Sequence, residues 1–121
     1  MGGRSRPLPS IRSSNATERN RAERQAVNSV IQGSAADLMK EAMLQCVAEL
    51  ARHRLRARLI AQLHDEVLFE VHEDDADRCA EVVRECMETI GSFFEANGAK
   101  LPKMPVAVAM GETWGTMVEV P

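Results

Sequence analysis

The sequence has little that would mark a secreted, zinc-binding or membrane-spanning protein. Its 121 residues contain three cysteines, an odd number, and no CxxC pair. Neither a disulfide framework nor a zinc ribbon is therefore indicated, and a reducing compartment fits. No apolar run approaches the roughly 18 to 20 residues that a membrane span needs, and no charged-then-apolar leader opens the chain. We therefore expect no membrane partner.

The net charge of −3 conceals an uneven distribution along a chain that is 45% hydrophobic and 27% charged. Residues 1–24 hold six arginines and two glutamates, whereas residues 59–121 hold 13 acids and four bases. The length suits one globular domain and excludes a large multidomain machine. The asymmetry suggests a basic surface for a polyanion beside a carboxylate-rich region, although a solvated arm with solvated faces fits the charges equally well.

Glycine, proline and serine signals divide the first half of the chain. Residues 1–15 should be extended or looped, and a first helix should run from Thr17 to about Ile31. Gly33 is expected to interrupt it, with Ser34 as the N-cap of a second helix over residues 35–51. The apolar side chains of that second helix repeat at helical spacing and predict one buried stripe: Leu38, Met39, Ala42, Met43, Cys46, Val47 and Leu50.

The second half changes to a strand-like period. Residues 58–63 and 66–71 predict a β-hairpin whose tip is His64-Asp65, with Asp65 tolerating the left-handed backbone that such a turn needs. A third helix should cover residues 74–96, with Cys79 and Cys86 in its core face. Residues 105–110 predict a third strand beside the hairpin.

The acidic pair at the hairpin tip, Asp65 and Glu66, is the main chemical signal. Two neighbouring carboxylates repel each other unless a cation shares them. Their hard oxygen ligands suit Mg²⁺ or Mn²⁺. A solvated, charged turn is the alternative, but a basic segment elsewhere in the chain favours metal-assisted chemistry on a phosphate polyanion.

Four sequence blocks, in order, resemble the carboxy-terminal part of family A DNA polymerases: AERQAVN (22–28), IQGSAAD (31–37), QLHDEVLFE (62–70) and VAVAMGETWG (106–115). The resemblance covers essentially the whole chain. It implies a partial domain over residues 1–121, with a basic arm over 1–16 and helices and palm strands over 17–121. The expected fold is α+β, an antiparallel hairpin plus a third strand packed against about three helices.

The resemblance also implies site residues. Asp65 matches the catalytic, metal-binding aspartate of the palm, Glu66 the acidic residue beside it, and His64 a contact near the primer terminus. Five further residues match family positions that contact nucleic acid. Arg4 and Arg6 match a basic run that binds the nucleic-acid backbone, and Ser5 interrupts that run here. The other three match contacts to the nascent duplex: Arg24, Asn28 and Gln32.

The implied activity is DNA-directed DNA synthesis by a two-metal mechanism with Mg²⁺, on primer-template DNA and a deoxynucleoside triphosphate. Localisation would be nuclear in a eukaryote and cytoplasmic or nucleoid in a bacterium. The second metal-binding aspartate and the fingers helix are not found in these residues, so we expect a fragment that is inactive alone.

Two rival interpretations stay open at the level of sequence. His64-Asp65 could be the core of an HD-type phosphohydrolase, but His53 and His72 lack supporting partners. The chain could instead be a non-catalytic DNA-binding or regulatory module with a palm fold. Arg54, Arg56 and Arg58 alternate and would share one face of an extended segment, for which a solvated loop is the favoured interpretation.

Overall fold

The computed structural model describes residue 3, residues 5–91 and residues 103–121. Within these residues the chain forms two α-helices and four strands, which in chain order are α1 (Ala16–Arg52), β1 (Ala57–Leu63), β2 (Glu66–Val71), α2 (Ala76–Thr89), β3 (Val108–Met110) and β4 (Val118–Val120). The α+β prediction is confirmed. The chain divides into two compact units, residues 1–39 and residues 40–121.

In the first unit, side chains before α1 fix where the helix begins. Asn15 Oδ1 accepts a hydrogen bond from the backbone N–H of Thr17 at 2.9 Å, which satisfies one of the free donors of the first turn. Ser13 Oγ donates to Glu18 Oε2 at 2.7 Å. The helix therefore begins at Ala16, one residue before the predicted start.

The expected break at Gly33 is wrong, because α1 continues through it for 37 residues. Ser34 consequently lies inside the helix and is no N-cap. Glycine costs only about 1 kcal/mol relative to alanine inside a helix, and no proline follows it to remove a backbone donor. Good helix formers on both sides outweigh that cost.

The C-terminal end of α1 is closed by backbone hydrogen bonds. The N–H of Arg54 bonds to the carbonyl of Ala51 and the N–H of Leu55 to that of Leu50, each at 3.0 Å. Arg54 adopts φ 56°, so this is a Schellman motif with arginine where glycine is usual. Leu55 packs against the core around Leu50, and the chain turns from there into β1.

The core of the second unit lies between the end of α1 and α2. Its buried members are Cys46, Leu50, Cys79, Val82 and Cys86. Burial raises the pKa of the Cys46 thiol to about 12, as expected for structural thiols. The prediction that these cysteines are core residues is confirmed.

The edges of the predicted helical stripes differ from expectation. Val47 is 47% exposed, so it does not belong to the buried stripe, while Ala42 does. Helix α2 begins at Ala76, after a short 3₁₀ turn over Glu73–Asp75. It ends as an α-helix at Thr89, earlier than expected, and the predicted end at Ala96 lies outside the described residues.

The hairpin is confirmed, but the predicted place of the third strand is wrong. Strand β3 pairs antiparallel with β4, in a sheet separate from β1 and β2. A Cβ built on Gly111 would come within 2.7 Å of the Thr116 carbonyl oxygen, so the missing side chain lets the backbone fold back there. Arg84 Nη2 also donates to the Val120 carbonyl at 3.0 Å, which holds β4 on α2.

Among the described residues, no helix combines the length and apolar character that crossing a lipid bilayer requires.

Candidate functional site

The acidic pair stands at the tip of the β1–β2 hairpin in the second unit. Leu63 and Glu66 are cross-strand partners, so His64 and Asp65 form a two-residue turn. Glu66 is the first residue of β2, directly after that turn. The backbone thus brings His64, Asp65 and Glu66 together at one end of the hairpin, as the sequence predicts.

The left-handed residue of the turn is His64, with φ 55°, and not Asp65 as expected. Asn, Asp and His are the non-glycine residues that adopt this region most readily, so the turn is compatible with either residue. The side-chain amide of Gln62 donates to the carbonyl of His64. The sequence located the turn correctly but assigned its strained position to the wrong residue.

The three side chains of the tip, those of His64, Asp65 and Glu66, are exposed, whereas Val67 and Phe69 behind them are half-buried. Among the described residues, neither carboxylate has an ion-pair partner. The carboxylate oxygens are therefore accessible to a hydrated cation.

Carboxylate oxygens are the type of ligand that a magnesium ion binds in proteins. Mg²⁺ keeps several of its waters and is usually held by one or two carboxylates together with substrate phosphates. In residues 3, 5–91 and 103–121, no three His, Cys, Asp or Glu side chains come together as a possible metal site. Asp65 and Glu66 can thus supply two ligands, and the remaining ligands of a complete site have to come from other groups.

The second group of predicted site residues lies on α1 in the first unit. Arg24, Asn28 and Gln32 are all exposed, and residues four apart on an α-helix are offset by only about 40°. They form a polar row along one face. Val27 and Ile31, beside this row, are 62% and 65% exposed, so the face combines hydrogen-bond donors with uncovered apolar surface.

The arm before α1 contacts the same helix. Arg6 Nη1 donates to Ser29 Oγ at 2.8 Å, and Ser29 Oγ in turn donates to the carbonyl of Gln25 at 2.5 Å. Arg4, the other predicted backbone contact, lies outside the described residues. Arg6 therefore has a protein partner in this structure, which the sequence did not indicate.

The three arginines after α1 (Arg54, Arg56 and Arg58) are exposed, as a solvated segment predicts, but Arg56 also has carboxylate partners. Arg56 bonds to the Asp75 carboxylate through its backbone N–H at 2.9 Å and its Nε at 2.8 Å, and its Nη2 reaches Asp74 Oδ2 at 3.1 Å. These hydrogen bonds lower the pKa of Asp75 to about 2. Arg54 occupies the left-handed end of α1. Arg58 is exposed.

Sequence reasoning missed two side chains that bond to predicted site residues, Gln62 to His64 and Ser29 to Arg6. A polar residue two positions before a turn was a usable signal for Gln62, because its side chain can reach the turn backbone. Ser29 carried no comparable signal, since its partner Arg6 is 23 residues away.

Comparisons with known proteins point to one family. A family model described as DNA polymerase family A matches residues 1–116. DNA polymerase I of Bacillus caldotenax is 41% identical over 111 residues, which cover 92% of this chain and 12% of that protein. DNA polymerase I of Mycobacterium leprae is 42% identical over 113 residues, which cover 93% of this chain and 12% of that protein.

A solved structure agrees with these relatives. It is described as the POL domain of Pol1 from M. smegmatis in complex with DNA primer-template and dNTP. It matches with a TM-score of 0.66 and 45% identity, over 70% of this chain and 15% of that chain. This chain therefore spans about an eighth of the length of the two curated relatives that it matches.

Proposed function

This chain belongs to DNA polymerase family A, and from that membership we propose that it contributes to template-directed nucleotidyl transfer in DNA replication or repair. Asp65 and Glu66 are the catalytic carboxylates in this proposal, and His64 contacts DNA near the primer terminus. The observation that carries it is the uncovered acidic pair at a two-residue hairpin tip, within a chain that matches the family model over residues 1–116.

The carboxylates would act by holding Mg²⁺. When bound, the ions would activate the primer 3′-hydroxyl and neutralise charge on the triphosphate and the leaving pyrophosphate. Asp65 and Glu66 would each supply oxygen ligands from the tip of the hairpin. Their exposure would allow ligands from other carboxylates and from substrate to complete the metal shell.

The polar row on α1 would contact duplex DNA. Arg24, Asn28 and Gln32 each carry N–H donors, and every base pair presents acceptors in the minor groove. Donors in a row can therefore bind any sequence, which a polymerase needs. Apolar Val27 and Ile31 beside them would exclude water from the same contact.

The arm would add contacts to the DNA backbone through Arg4 and Arg6. A guanidinium has five N–H donors, and one donor of Arg6 is bonded to Ser29. The remaining donors of Arg6 can bind a phosphate without releasing that serine. Arg6 would then fasten the arm to α1 and contact DNA at the same time.

We expect the 121 residues alone to be inactive. The acidic pair fills only part of a metal shell, and among the described residues no group of three His, Cys, Asp or Glu side chains is arranged to hold a metal ion. A primer-extension assay with the purified chain, Mg²⁺ and all four deoxynucleoside triphosphates tests this. Robust incorporation by the chain alone would contradict the expectation.

The catalytic role is tested by grafting. The chain replaces the matching segment of a full-length DNA polymerase I relative, and primer extension is measured for the graft and for its Asp65→Asn variant. We expect the graft to extend primers and the variant to lose at least about a thousandfold in rate, because a neutral amide cannot replace a metal-binding carboxylate.

The matched control is Glu70→Gln, which neutralises an exposed carboxylate on the same strand, away from the tip. We expect this variant to retain the rate of the graft. Equal losses in both variants would refute a specific role for Asp65. A graft that binds primer-template but extends nothing would favour a non-catalytic DNA-binding module.

A further inference from the structure

The turn that presents the acidic pair lacks the usual means of adopting its backbone. Two-residue hairpin turns require positive φ and favour glycine, as in Asn-Gly or Asp-Gly. Here the positive φ of 55° falls on His64, which has a Cβ, and no glycine lies in the turn. Histidine tolerates this region better than most residues, and an interaction that holds the backbone would stabilise it further.

Gln62 supplies that interaction. Its side-chain Nε2 donates a hydrogen bond to the backbone carbonyl of His64, two residues along the chain. The bond closes across the start of the turn, at the turn residue whose backbone is left-handed. No other described side chain bonds to the backbone of His64 or Asp65.

A β-bulge places Gln62 where it can do this. The strand register shifts between Leu59 and Ala61, so the intervening Ile60 has no cross-strand partner and is 55% exposed. A one-residue shift reverses which face each later side chain takes. Gln62 thereby lies opposite Val67, and bulges of this kind are common where a side chain is redirected near a site.

We propose that Gln62 is a positioning residue for the acidic pair: its amide holds the His64 carbonyl and thereby fixes the left-handed turn from which Asp65 and Glu66 project. Gln62 acts through the backbone and not by touching substrate. The consequence for catalysis rests on the proposed function, since the placement of the acidic pair matters only if these carboxylates bind the metal ions.

The test uses NMR of the 121-residue chain, without DNA or metal. A residue with positive φ gives a strong intraresidue NOE between its amide and α protons. We expect this signal for His64 in the unmodified chain at neutral pH. In Gln62→Ala it should fall several-fold, because the amide donor is gone.

A second variant, Gln62→Glu, separates loss of the donor from loss of the side chain. Ionised glutamate has no donor, so the His64 signal should be weak at neutral pH. Protonated glutamate has an O–H donor, so the signal should return at about pH 3, below the ordinary glutamate pKa of about 4.3. The unmodified chain and Gln62→Ala, measured at the same pH, account for every other effect of acid on the turn and on the fold.

The matched control is Gln45→Ala on α1, whose side chain bonds only locally to Glu41 at 3.3 Å. It should leave the His64 signal unchanged. Three outcomes would each overturn the proposal: a strong signal in Gln62→Ala, an unmodified chain without the signal at neutral pH, or no recovery of Gln62→Glu at pH 3 while the unmodified chain keeps its signal at that pH. None of these outcomes depends on polymerase activity, so the failure of this inference is distinguishable from failure of the proposed function.

Discussion

Asp75 is the residue whose charge ties two segments of the second unit together. Its side chain is only 19% exposed and lies 2.8 Å from Arg56 Nε. It also accepts a hydrogen bond from the backbone N–H of Arg56. Arg56 directly precedes β1, and Asp75 directly precedes α2. One carboxylate thus fixes the start of the hairpin relative to the start of a helix.

The lowered pKa of Asp75 makes part of the stability dependent on pH. The folded pKa is about 2 and the ordinary value is 3.8. A lowered folded pKa means that the contribution is fully present above about pH 4 and is lost as the pH falls towards 2. We expect Asp75→Asn to lower the urea midpoint at pH 6, and the difference from the unmodified chain to shrink between pH 4 and pH 2.

Asp74→Asn is the control for this measurement, because Asp74 is 68% exposed and reaches Arg56 through a single 3.1 Å contact. Exposed ion pairs contribute little to stability, so its urea midpoint should change less at every pH. A pH-independent difference for Asp75→Asn would show that the charge of Asp75 is not responsible.

At the scale of elements, α1 shows how local signals can be outweighed. Gly33 and Ser34 have the composition of a helix break, yet the helix runs continuously from Ala16 to Arg52. The helix ends where Arg54 adopts a left-handed backbone, although arginine is not a typical helix-stopping residue. Leu55 explains this end, because it packs on the core and so directs the chain away from the helix axis.

The helical position of Gly33 gives a direct prediction. A Cβ added there would meet nothing within 4 Å, and alanine loses less conformational entropy than glycine on entering a helix. We expect Gly33→Ala to raise the free energy of unfolding by about 0.5 to 1 kcal/mol, measured by urea denaturation with far-UV circular dichroism.

Gly111→Ala is the opposite case with the same chemical change. Its new Cβ would lie 2.7 Å from the Thr116 carbonyl oxygen and 2.8 Å from Met117 Cα. The backbone would have to shift, so this variant should be destabilised. A destabilised Gly33→Ala would indicate that residue 33 is not in a regular helix in solution.

At the scale of the whole chain, charge and apolar exposure are divided between segments. Residues 1–24 are basic and residues 59–121 are acidic, and the first unit leaves Val27, Val30 and Ile31 more than 60% exposed. Monomeric proteins rarely leave large contiguous apolar areas uncovered. The α1 face is therefore better suited to contact with another surface than to water alone.

Measuring the affinity of variants for DNA tests whether the α1 face makes this contact. We expect Arg24→Ala to weaken binding of the chain to a labelled primer-template duplex by about tenfold, which corresponds to the lower part of the range for a specific arginine contact. Fluorescence anisotropy at several salt concentrations gives the affinity and its salt dependence.

Arg78→Ala removes the same charge from α2, where Arg78 is exposed and paired with Glu81 at 2.7 Å. It should change the affinity less than about twofold if α1 carries the DNA contact. Equal losses in the two variants would indicate that binding depends on net charge and not on the α1 face.

The candidate site was largely predictable because its signals are local. The hairpin, its two-residue tip and the exposed pair Asp65 and Glu66 follow from a period-two pattern interrupted by charges. The polar row on α1 follows from a spacing of four. The left-handed residue was not predictable, since His64 and Asp65 are both compatible with it and a contact from Gln62 decides between them.

The sequence by itself determined the class of fold, the β1–β2 hairpin, the core cysteines and the family, because periodicity and short motifs depend on neighbouring residues. Only the tertiary structure decided what depends on distant partners: β3 pairs with β4, Arg56 with Asp75, and Arg6 with Ser29. Each of these groups could instead bond to water or to another partner. Only the folded chain brings the two partners of each contact together, and no local sequence pattern predicts the pairing.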